Sequence, residues 1–411
     1  MASLTIDQLL SKYGISPTLG FLSPNQPPTA FTSPYYAEWD TIASQLSKLQ
    51  KSQKLVTKIQ QLPILDSGHL ESEPEYRRAY VVLGFLIHAY VWGGSSAPMQ
   101  EVPPQLSEPF LQVCDYLGVQ PVLSYSGLVL WNWSVSQDCT LDDSFPDLSQ
   151  LESLTSFTGT RGEDAFYHVP VLVEADGGPL IPLLLQAVEN GQRGDFAAVC
   201  SALETATTTF AKMGSHLPKM FGTLDAHIFY HEIRPFFAGG KDLPRGMVFR
   251  KSDGTEVEAK YVGGSAAQGS LFPFLDHILG VVHEEAKSRD SVFQEMKSYM
   301  PRKHREFLDV VGRLPSLRSM VESHRDDSRL CVAFDECLAQ LRLWRGKHIA
   351  IVSKYIVQPA KAAALAEHKG KRDSCKENAV DELQGTGGTA LVPFLRQARD
   401  ETRGLDRANK D

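Results

Sequence analysis

The chain has 411 residues, more than the usual size of one compact domain, which allows two or three domains. Its 42% hydrophobic and 22% charged residues are typical of a folded globular protein and exclude a disordered chain. A net charge of -8 excludes the global positive field that would draw a protein to nucleic acid or anionic lipid.

The six cysteines contain no CxxC pair and lack the dense spacing of a secreted disulfide scaffold, so they predict reduced thiols. The first residues show no signal-peptide pattern, and the most apolar early stretch, 80–92, is too short to span a bilayer. We therefore expect a soluble, cytoplasmic protein without a membrane or nucleic-acid partner.

Apolar residues recur at helical spacing along most of the chain, which predicts an all-α fold. The first thirty-odd residues are rich in proline and predict an extended arm. The arm belongs to a small helical domain, residues 1–135, whose predicted helices cover 36–61, 73–92, 104–117 and 122–134. The larger domain, residues 136–411, has predicted helices over 178–190, 195–216, 224–237, 266–284, 290–311, 314–325 and 329–357.

Two stretches of the larger domain depart from this helical pattern. Asp253-Gly254, within 249–261, is typical of a tight turn and predicts a short hairpin. Pro359 predicts the end of the long helix 329–357. The following residues, 360–384, have almost no large apolar groups and predict a mobile loop.

His348 is the most informative residue of the predicted long helix. Trp344 and Ile351 share its helix face, so His348 lies on an apolar stripe. One interpretation is a core histidine satisfied by one hydrogen bond. The other is an axial ligand of haem iron, because the macrocycle supplies four equatorial nitrogens and only one protein ligand is then required.

Three other motifs suggest sites. His227 and His231 have the i, i+4 spacing of zinc ligands, but Ile228 stands where a metallohydrolase needs Glu, so zinc is the weaker interpretation. The match to G-x-G-x-x-A at 385–390 lacks the buried strand that precedes a dinucleotide site. Small residues at 263–267 permit the close approach of a flat ligand or an anion, and a plain Ser-capped helix explains them equally well.

Taken together, these segments resemble the indoleamine 2,3-dioxygenase family, haem enzymes that open the indole ring of tryptophan. The resemblance covers nearly the whole chain and agrees in order and spacing. The matching segments are 90–93, 121–133, 234–236, 263–266, 299–301, 304–305, 348–356 and 385–389. The resemblance implies a small helical domain above a larger, all-helical haem-binding domain.

The resemblance also implies a role for each matching site residue. His348 matches the proximal haem ligand, and Arg345 and Asp276 match an ion pair near the haem. Arg234 matches the arginine that binds the substrate carboxylate, which a guanidinium can hold with two parallel hydrogen bonds. The positions that match the aromatic wall, the loop over the haem face and the closing segment are Tyr125, Phe166 and Phe229, then Gly264, Ser265 and Ala266, and finally Thr386. Of all these, Arg234, Ser265 and Thr386 are expected to take part in catalysis.

One position departs from the family pattern. The distal polar residue, a serine in the mammalian enzymes, aligns with Pro170, which cannot donate a hydrogen bond. His168 lies two residues earlier and is a candidate replacement. The departure leaves the expected fold and haem binding intact and concerns efficiency and substrate preference.

The implied reaction takes L-tryptophan and O2 to N-formylkynurenine, the first step of the kynurenine pathway. It requires one haem b per chain and an unidentified electron donor, and we expect a monomer. Pro170 favours an alternative, a haem-binding relative with weak dioxygenase activity that acts as a sensor or signalling partner. A purely structural role for His348 would instead make the protein a helical scaffold without a cofactor.

Overall fold

The computed structural model describes residues 4–94, 97–136, 145–283, 292–368 and 391–405. Helix accounts for 64% of the residues and strand for 4%, which confirms the predicted all-α class. The helices before residue 135 are α1 (Ile6–Tyr13), α2 (Ala37–Ser44), α3 (Leu46–Lys51), α4 (Leu55–Gln60), α5 (Glu73–Trp92) and α6 (Pro104–Leu117). Those after it are α7 (Arg161–Gly177), α8 (Leu180–Gln192), α9 (Phe196–His216), α10 (Ala226–Ile228), α11 (Leu271–Leu279), α12 (Val292–Lys297), α13 (Arg302–Val311), α14 (Leu317–Ser323), α15 (Ser328–Val352), α16 (Gln358–His368) and α17 (Leu391–Glu401).

Short strands connect the two parts of the chain. The strands are β1 (Glu101–Val102), β2 (Ser134–Val135), β3 (Leu151–Glu152), β4 (Met247–Arg250) and β5 (Glu256–Ala259). β4 and β5 form the predicted hairpin, and Gly254 at φ +84° occupies its turn. β1 pairs in parallel with β4, so residues before and after position 135 share one sheet. The domain boundary at residue 135 stays a prediction.

The N-terminal half departs from prediction in three places. The arm contains α1, which a Thr5 capping box and the left-handed Gly14 delimit, and α1 packs against α8 and α13. The stretch 36–61 is divided into α2, α3 and α4, with Gln53 at φ +56° between the last two. The predicted helix 122–134 contains only one π-helical turn, Ser126–Leu130.

Helix α7 is missing from the predicted set. Pro170 lies in its interior, where proline removes a backbone donor and therefore gives a poor helix pattern. The N-terminus of α7 is fixed by the Thr160 cap and by buried Glu163, whose carboxylate accepts hydrogen bonds from Phe157 N and Tyr167 Oη, both at 2.7 Å. These contacts stabilise a helix that local sequence disfavours.

The predicted loop 360–384 is wrong at its start. After α15, a π-helical turn, Ser353–Val357, leads directly into α16, which reaches His368. Pro359 lies where the π-helical turn joins α16, and there it removes one backbone donor without ending the helix. The Ala, Lys and Glu that follow are strong helix formers even without large apolar groups. The rest of the predicted loop lies outside the described residues.

The core of the larger part is formed by long helices. α9 packs along α15 and against α7 and α8, while α17 packs on the other side of α15. The stretch 161–192 is apolar and long enough to cross a bilayer by length and composition alone, but 72% of its most apolar window is buried inside the protein, as in a core helix.

Gly178, at the junction of α7 and α8, lies against the N-terminal segment. A Cβ atom on Gly178 would lie 2.5 Å from the backbone nitrogen of Gly20 and 2.5 Å from the carbonyl carbon of Leu19. Neither contact involves a flexible side chain, so the backbones themselves would have to move apart.

Gly178→Ala should therefore lower the free energy of unfolding by about 1–3 kcal/mol, the usual cost of overpacking. Gly222→Ala is the control, because a Cβ there meets no atom within 4 Å; it should change stability by less than about 0.5 kcal/mol. Urea unfolding of both variants measures the difference. Equal stabilities would contradict the observed backbone contact.

Candidate functional site

Helix α15 presents His348 beside an aromatic pair. The Trp344 ring stacks on His348 at 5.5 Å between centroids, and Phe272 packs on Trp344 at 4.1 Å. Burial, with a further effect from the Arg345 charge, lowers the pKa of His348 to about 4, so the imidazole is neutral at pH 7. The side chain is half-buried, and neither ring nitrogen has a hydrogen-bond partner among the described residues.

One turn before His348, Arg345 forms a buried ion pair with Asp276 of α11. Its Nη2 lies 2.5 Å from Oδ1 and 2.7 Å from Oδ2 of Asp276. Its Nη1 donates to the carbonyl of Ala398 at 2.6 Å and to Thr402 Oγ1 at 2.7 Å. The two residues that the resemblance paired thus contact each other, and they also bind the C-terminal helix α17.

His283 connects the same carboxylate to α17. Its Nε2 lies 3.1 Å from Asp276 Oδ2, and its Nδ1 lies 2.7 Å from Glu401 Oε2. Since a carboxylate only accepts hydrogen bonds, both ring nitrogens must donate, which requires the imidazolium form. Burial opposes that charge, but the bonds to Asp276 and Glu401 outweigh it and raise the pKa of His283. Sequence reasoning missed this residue, because its partners lie far apart in the chain.

Arg234 follows two tight backbone turns. The π-helical turn Phe229–Ile233 leads into the 3-10 turn Arg234–Phe237, and such irregular turns often occur at functional sites. The guanidinium lies 5.3 Å from the centroid of the Tyr230 ring. Burial lowers the pKa of Arg234 from its usual 12.5, yet the side chain stays cationic at pH 7. A partly desolvated guanidinium is well suited to bind a carboxylate.

Two of the three predicted aromatic-wall residues contact each other. The Phe166 and Phe229 ring centroids are 4.8 Å apart, and Phe237 stacks on Phe166 at 5.1 Å. Phe229 also meets Tyr355 edge-on at 5.8 Å. Tyr355 lies in the π-helical turn Ser353–Val357, so the Phe229 cluster packs against the turn that directly follows the helix carrying His348.

Tyr125 joins the site through buried Gln268 rather than through the phenylalanines. The Oε1 atom of Gln268 accepts hydrogen bonds from Tyr125 N at 3.0 Å and Ser265 N at 3.2 Å, while its Nε2 donates to the carbonyl of Gly263 at 2.9 Å. Gly264 is buried beside Leu128, and Ala266 is exposed. The S-x-x-Q capping pattern at 265–268 is the sequence feature that could have revealed Gln268.

Glu174 is a second buried residue that sequence reasoning missed. Its Oε1 accepts a hydrogen bond from Tyr125 Oη at 3.0 Å, and Oε2 has no partner in the described part of the chain. Burial raises the pKa of Glu174 to about 7. An acidic group with this pKa therefore adjoins a predicted substrate contact.

The remaining predicted positions contribute less. Pro170 lies within α7, one turn after Phe166, and His168 is buried with Nε2 3.0 Å from Ser153 Oγ, so its imidazole is already bonded elsewhere. His227 and His231 are exposed, with ring centroids 4.4 Å apart, and no group of three potential metal ligands occurs among the described residues. Thr386 and the 385–390 motif lie outside the described residues.

The fold and the site define a helical protein with a neutral imidazole on a long helix, an aromatic cluster that packs against the turn following that helix, and a partly buried arginine directly after Phe229–Ile233. Residues 9–405 match the model of the family described as indoleamine 2,3-dioxygenase. The chain belongs to this family and is a dioxygenase of the tryptophan type.

Curated relatives from fungi and mammals cover nearly the whole chain. The 6-hydroxytryptophan 2,3-dioxygenase of Fusarium equiseti is 36% identical over 95% of this chain and 96% of its own length. The indoleamine 2,3-dioxygenase of Saccharomyces cerevisiae is also 36% identical, over 96% of this chain and 93% of its own. Human indoleamine 2,3-dioxygenase 2 is 33% identical over 96% and 94%.

Arg345→Met tests the buried ion pair. The variant leaves the Asp276 carboxylate buried without its guanidinium and should lower the free energy of unfolding by about 3–5 kcal/mol at pH 7. Arg329→Met is the control, because the Arg329–Glu204 pair is exposed on both sides, and it should cost less than about 1 kcal/mol. Urea unfolding at pH 7 compares them, and similar losses would show that the Arg345 pair stabilises no more than a surface pair.

Glu401→Gln tests the imidazolium. A raised folded-state pKa means that His283 stabilises the fold fully below its unfolded pKa of about 6.5, and that this contribution disappears as the pH rises through the folded pKa. The wild-type free energy of unfolding should therefore fall above about pH 6.5, and less steeply in Glu401→Gln. Histidine NMR titration should place the His283 pKa above that of a free histidine, and a lower value would contradict the two-carboxylate geometry.

Proposed function

We propose that the protein is a haem b-dependent dioxygenase that converts L-tryptophan and O2 to N-formylkynurenine. The observation that carries the proposal is the neutral imidazole of His348, which lacks a described hydrogen-bond partner at the family's proximal-ligand position. Membership of the family supports the reaction class. The proposal also includes that the protein is a cytoplasmic monomer and that it depends on an external electron donor.

The residues present fit a haem. His348 offers a deprotonated ring nitrogen on the rigid helix α15, and Trp344 fixes the ring orientation by stacking. Arg345, held by Asp276, places a fixed positive charge one turn away from the imidazole. When bound, ferrous haem supplies the activation of dioxygen.

The substrate side is formed by the chain's own groups. Arg234 binds the tryptophan carboxylate with its guanidinium, and the Phe166 and Phe229 rings hold the indole by offset or edge contacts. Gln268 holds the backbone of Ser265 and Tyr125 in one geometry, so the loop at 263–266 and the aromatic residue move as one unit. These contacts orient the indole and exclude water before the reaction.

The reaction is an addition, since both oxygen atoms end in the product and the C2–C3 bond of the indole is cleaved. No proton is gained or lost overall, so the scheme needs no catalytic triad or carboxylate pair. Two substrates are consistent with the family, because one relative acts on 6-hydroxytryptophan. Pro170 favours the second candidate function, a haem-binding relative with weak turnover.

Aerobic incubation of the haem-loaded, ascorbate-reduced protein with L-tryptophan or 6-hydroxytryptophan tests the proposal. His348→Ala should lose haem retention, seen as loss of the Soret band. His231→Ala, which removes an exposed imidazole, should retain it. Arg234→Ala should retain haem and raise KM at least tenfold, the effect of losing one charge-assisted contact.

Three outcomes would contradict the proposal. Absence of a Soret band from the wild-type protein after haem loading would show that the protein does not bind haem. A Soret band without product from either substrate favours the sensor alternative. Loss of haem in Arg234→Ala would show that Arg234 supports the haem pocket rather than the substrate.

A further inference from the structure

The segment 122–125, which ends at Tyr125, is buried backbone without regular structure. Val122, Leu123 and Ser124 are each at most 2% exposed and lie outside every helix and strand, and Tyr125 begins the following helical turn. Buried backbone groups need hydrogen-bond partners, and here no neighbouring strand supplies them. Local backbone bonds Val122 N and the Ser124 carbonyl, and side chains of other elements bond the N–H groups of 123–125 and the Val122 carbonyl.

Three side chains supply these partners. Tyr80 Oη donates to the carbonyl of Val122 at 2.6 Å and accepts from Ser124 N at 3.1 Å. His88 Nε2 accepts from Leu123 N at 3.0 Å. Gln268 accepts from Tyr125 N at 3.0 Å. Each N–H from Leu123 to Tyr125 is thus bonded to a buried side chain.

Tyr80 and His88 lie on one stripe of α5 with Gly84 between them. The spacing i, i+4, i+8 places all three on the same helix face. A Cβ on Gly84 would lie 2.9 Å from Leu123 Cδ1, so the glycine permits the segment to lie directly on the helix. Tyr80, Gly84 and His88 together form the α5 stripe.

His88 extends from this segment to the Arg234 turn. Because Leu123 N–H can only donate, Nε2 of His88 is the acceptor and Nδ1 carries the proton. Nδ1 then donates to the carbonyl of Phe236 at 2.8 Å. Phe236 belongs to the same 3-10 turn as Arg234, and its ring stacks on Phe157 at 4.5 Å. Burial lowers the pKa of His88 to about 4, in agreement with a neutral ring.

We infer that the α5 stripe positions both sides of the substrate site: Tyr80 and His88 fix Tyr125 through the 122–125 backbone, and His88 fixes Arg234 through Phe236. The inference rests on the proposed function, since it takes Tyr125 and Arg234 as substrate contacts. Tyr80 and His88 are positioning residues, because they act through the groups they hold. Because both residues belong to α5, the inference gives the N-terminal helices a role in substrate binding.

Tyr80→Phe and Tyr36→Phe form a matched pair for the test. Both tyrosines are fully buried, and both hydroxyls donate to a backbone carbonyl at 2.6 Å, that of Val122 for Tyr80 and that of Asp66 for Tyr36. Both variants should lose stability, and Tyr80→Phe more, because the Tyr80 hydroxyl also accepts from Ser124 N. Only Tyr80→Phe should raise KM for L-tryptophan, by about tenfold with kcat within about threefold, and only it should speed amide exchange at residues 123–125 by about tenfold.

His88 variants provide the second measurement, should Tyr80→Phe fail to fold. In His88→Gln the amide oxygen occupies the acceptor position near Leu123, and in His88→Asn the amide nitrogen occupies the donor position near Phe236. Exchange at Leu123 should therefore rise in His88→Asn and stay close to wild type in His88→Gln. Both should raise KM, since each breaks one of the two links.

Two results would overturn the inference: unchanged KM in Tyr80→Phe and both His88 variants, or an equal rise of KM in Tyr36→Phe. Failure of the proposed function is seen separately, as absence of product in the wild type. In that case amide exchange still decides whether the α5 stripe holds the segment, since faster exchange in Tyr80→Phe and not in Tyr36→Phe supports it and equal exchange refutes it.

Discussion

The buried pair between Asp276 and Arg345 is the interaction on which the position of α15 and of His348 depends. It joins α11 to α15, and the remaining donors of Arg345 bind the end of α17. Asp276 also accepts from His283, whose second nitrogen bonds Glu401. A buried carboxylate with one cation would be costly, but here each charge has several hydrogen-bond partners. The pair therefore fixes the axial rotation and height of α15, and with them the position of His348.

The backbone around the predicted substrate contacts follows a different principle. It is irregular, with π-helical turns at 126–130 and 229–233 and a loop at 263–265. Beside these turns, buried side chains bond backbone groups that no helix or strand pairs. Gln268 joins the 263–265 loop to Tyr125, which directly precedes the first π-helical turn, and His88 joins Leu123 to Phe236, which follows the second. Irregular backbone brings polar groups to the ligand, while buried side chains supply the rigidity that binding requires.

Sequence reasoning succeeded where the information is local. The face of His348 follows from helical spacing with Trp344, and the β4–β5 turn follows from Asp253-Gly254. It failed where tertiary contacts override local preference, as in α7 with its interior Pro170, or where propensity was neglected, as in α16. The pairing of Arg345 with Asp276 joins residues 69 positions apart and came only from the family resemblance. The sequence did not reveal His88 for the same reason, since the pattern of an apolar helix does not show which groups a polar side chain within it bonds.

Pro170 lowers the polarity of α7 at the position where the resemblance implies a serine. It removes a side-chain hydroxyl and also the backbone N–H that would bond the carbonyl of Phe166, four residues earlier. Because the proposed reaction adds O2 without net proton transfer, no acid or base is lost with that hydroxyl. Orientation is a stricter requirement, since an indole held only by ring contacts can rotate in its plane. In the proposed site, a substrate carboxylate held by Arg234 would prevent that rotation, so the proposed reaction would tolerate proline at position 170 as long as the Arg234 turn is held in place.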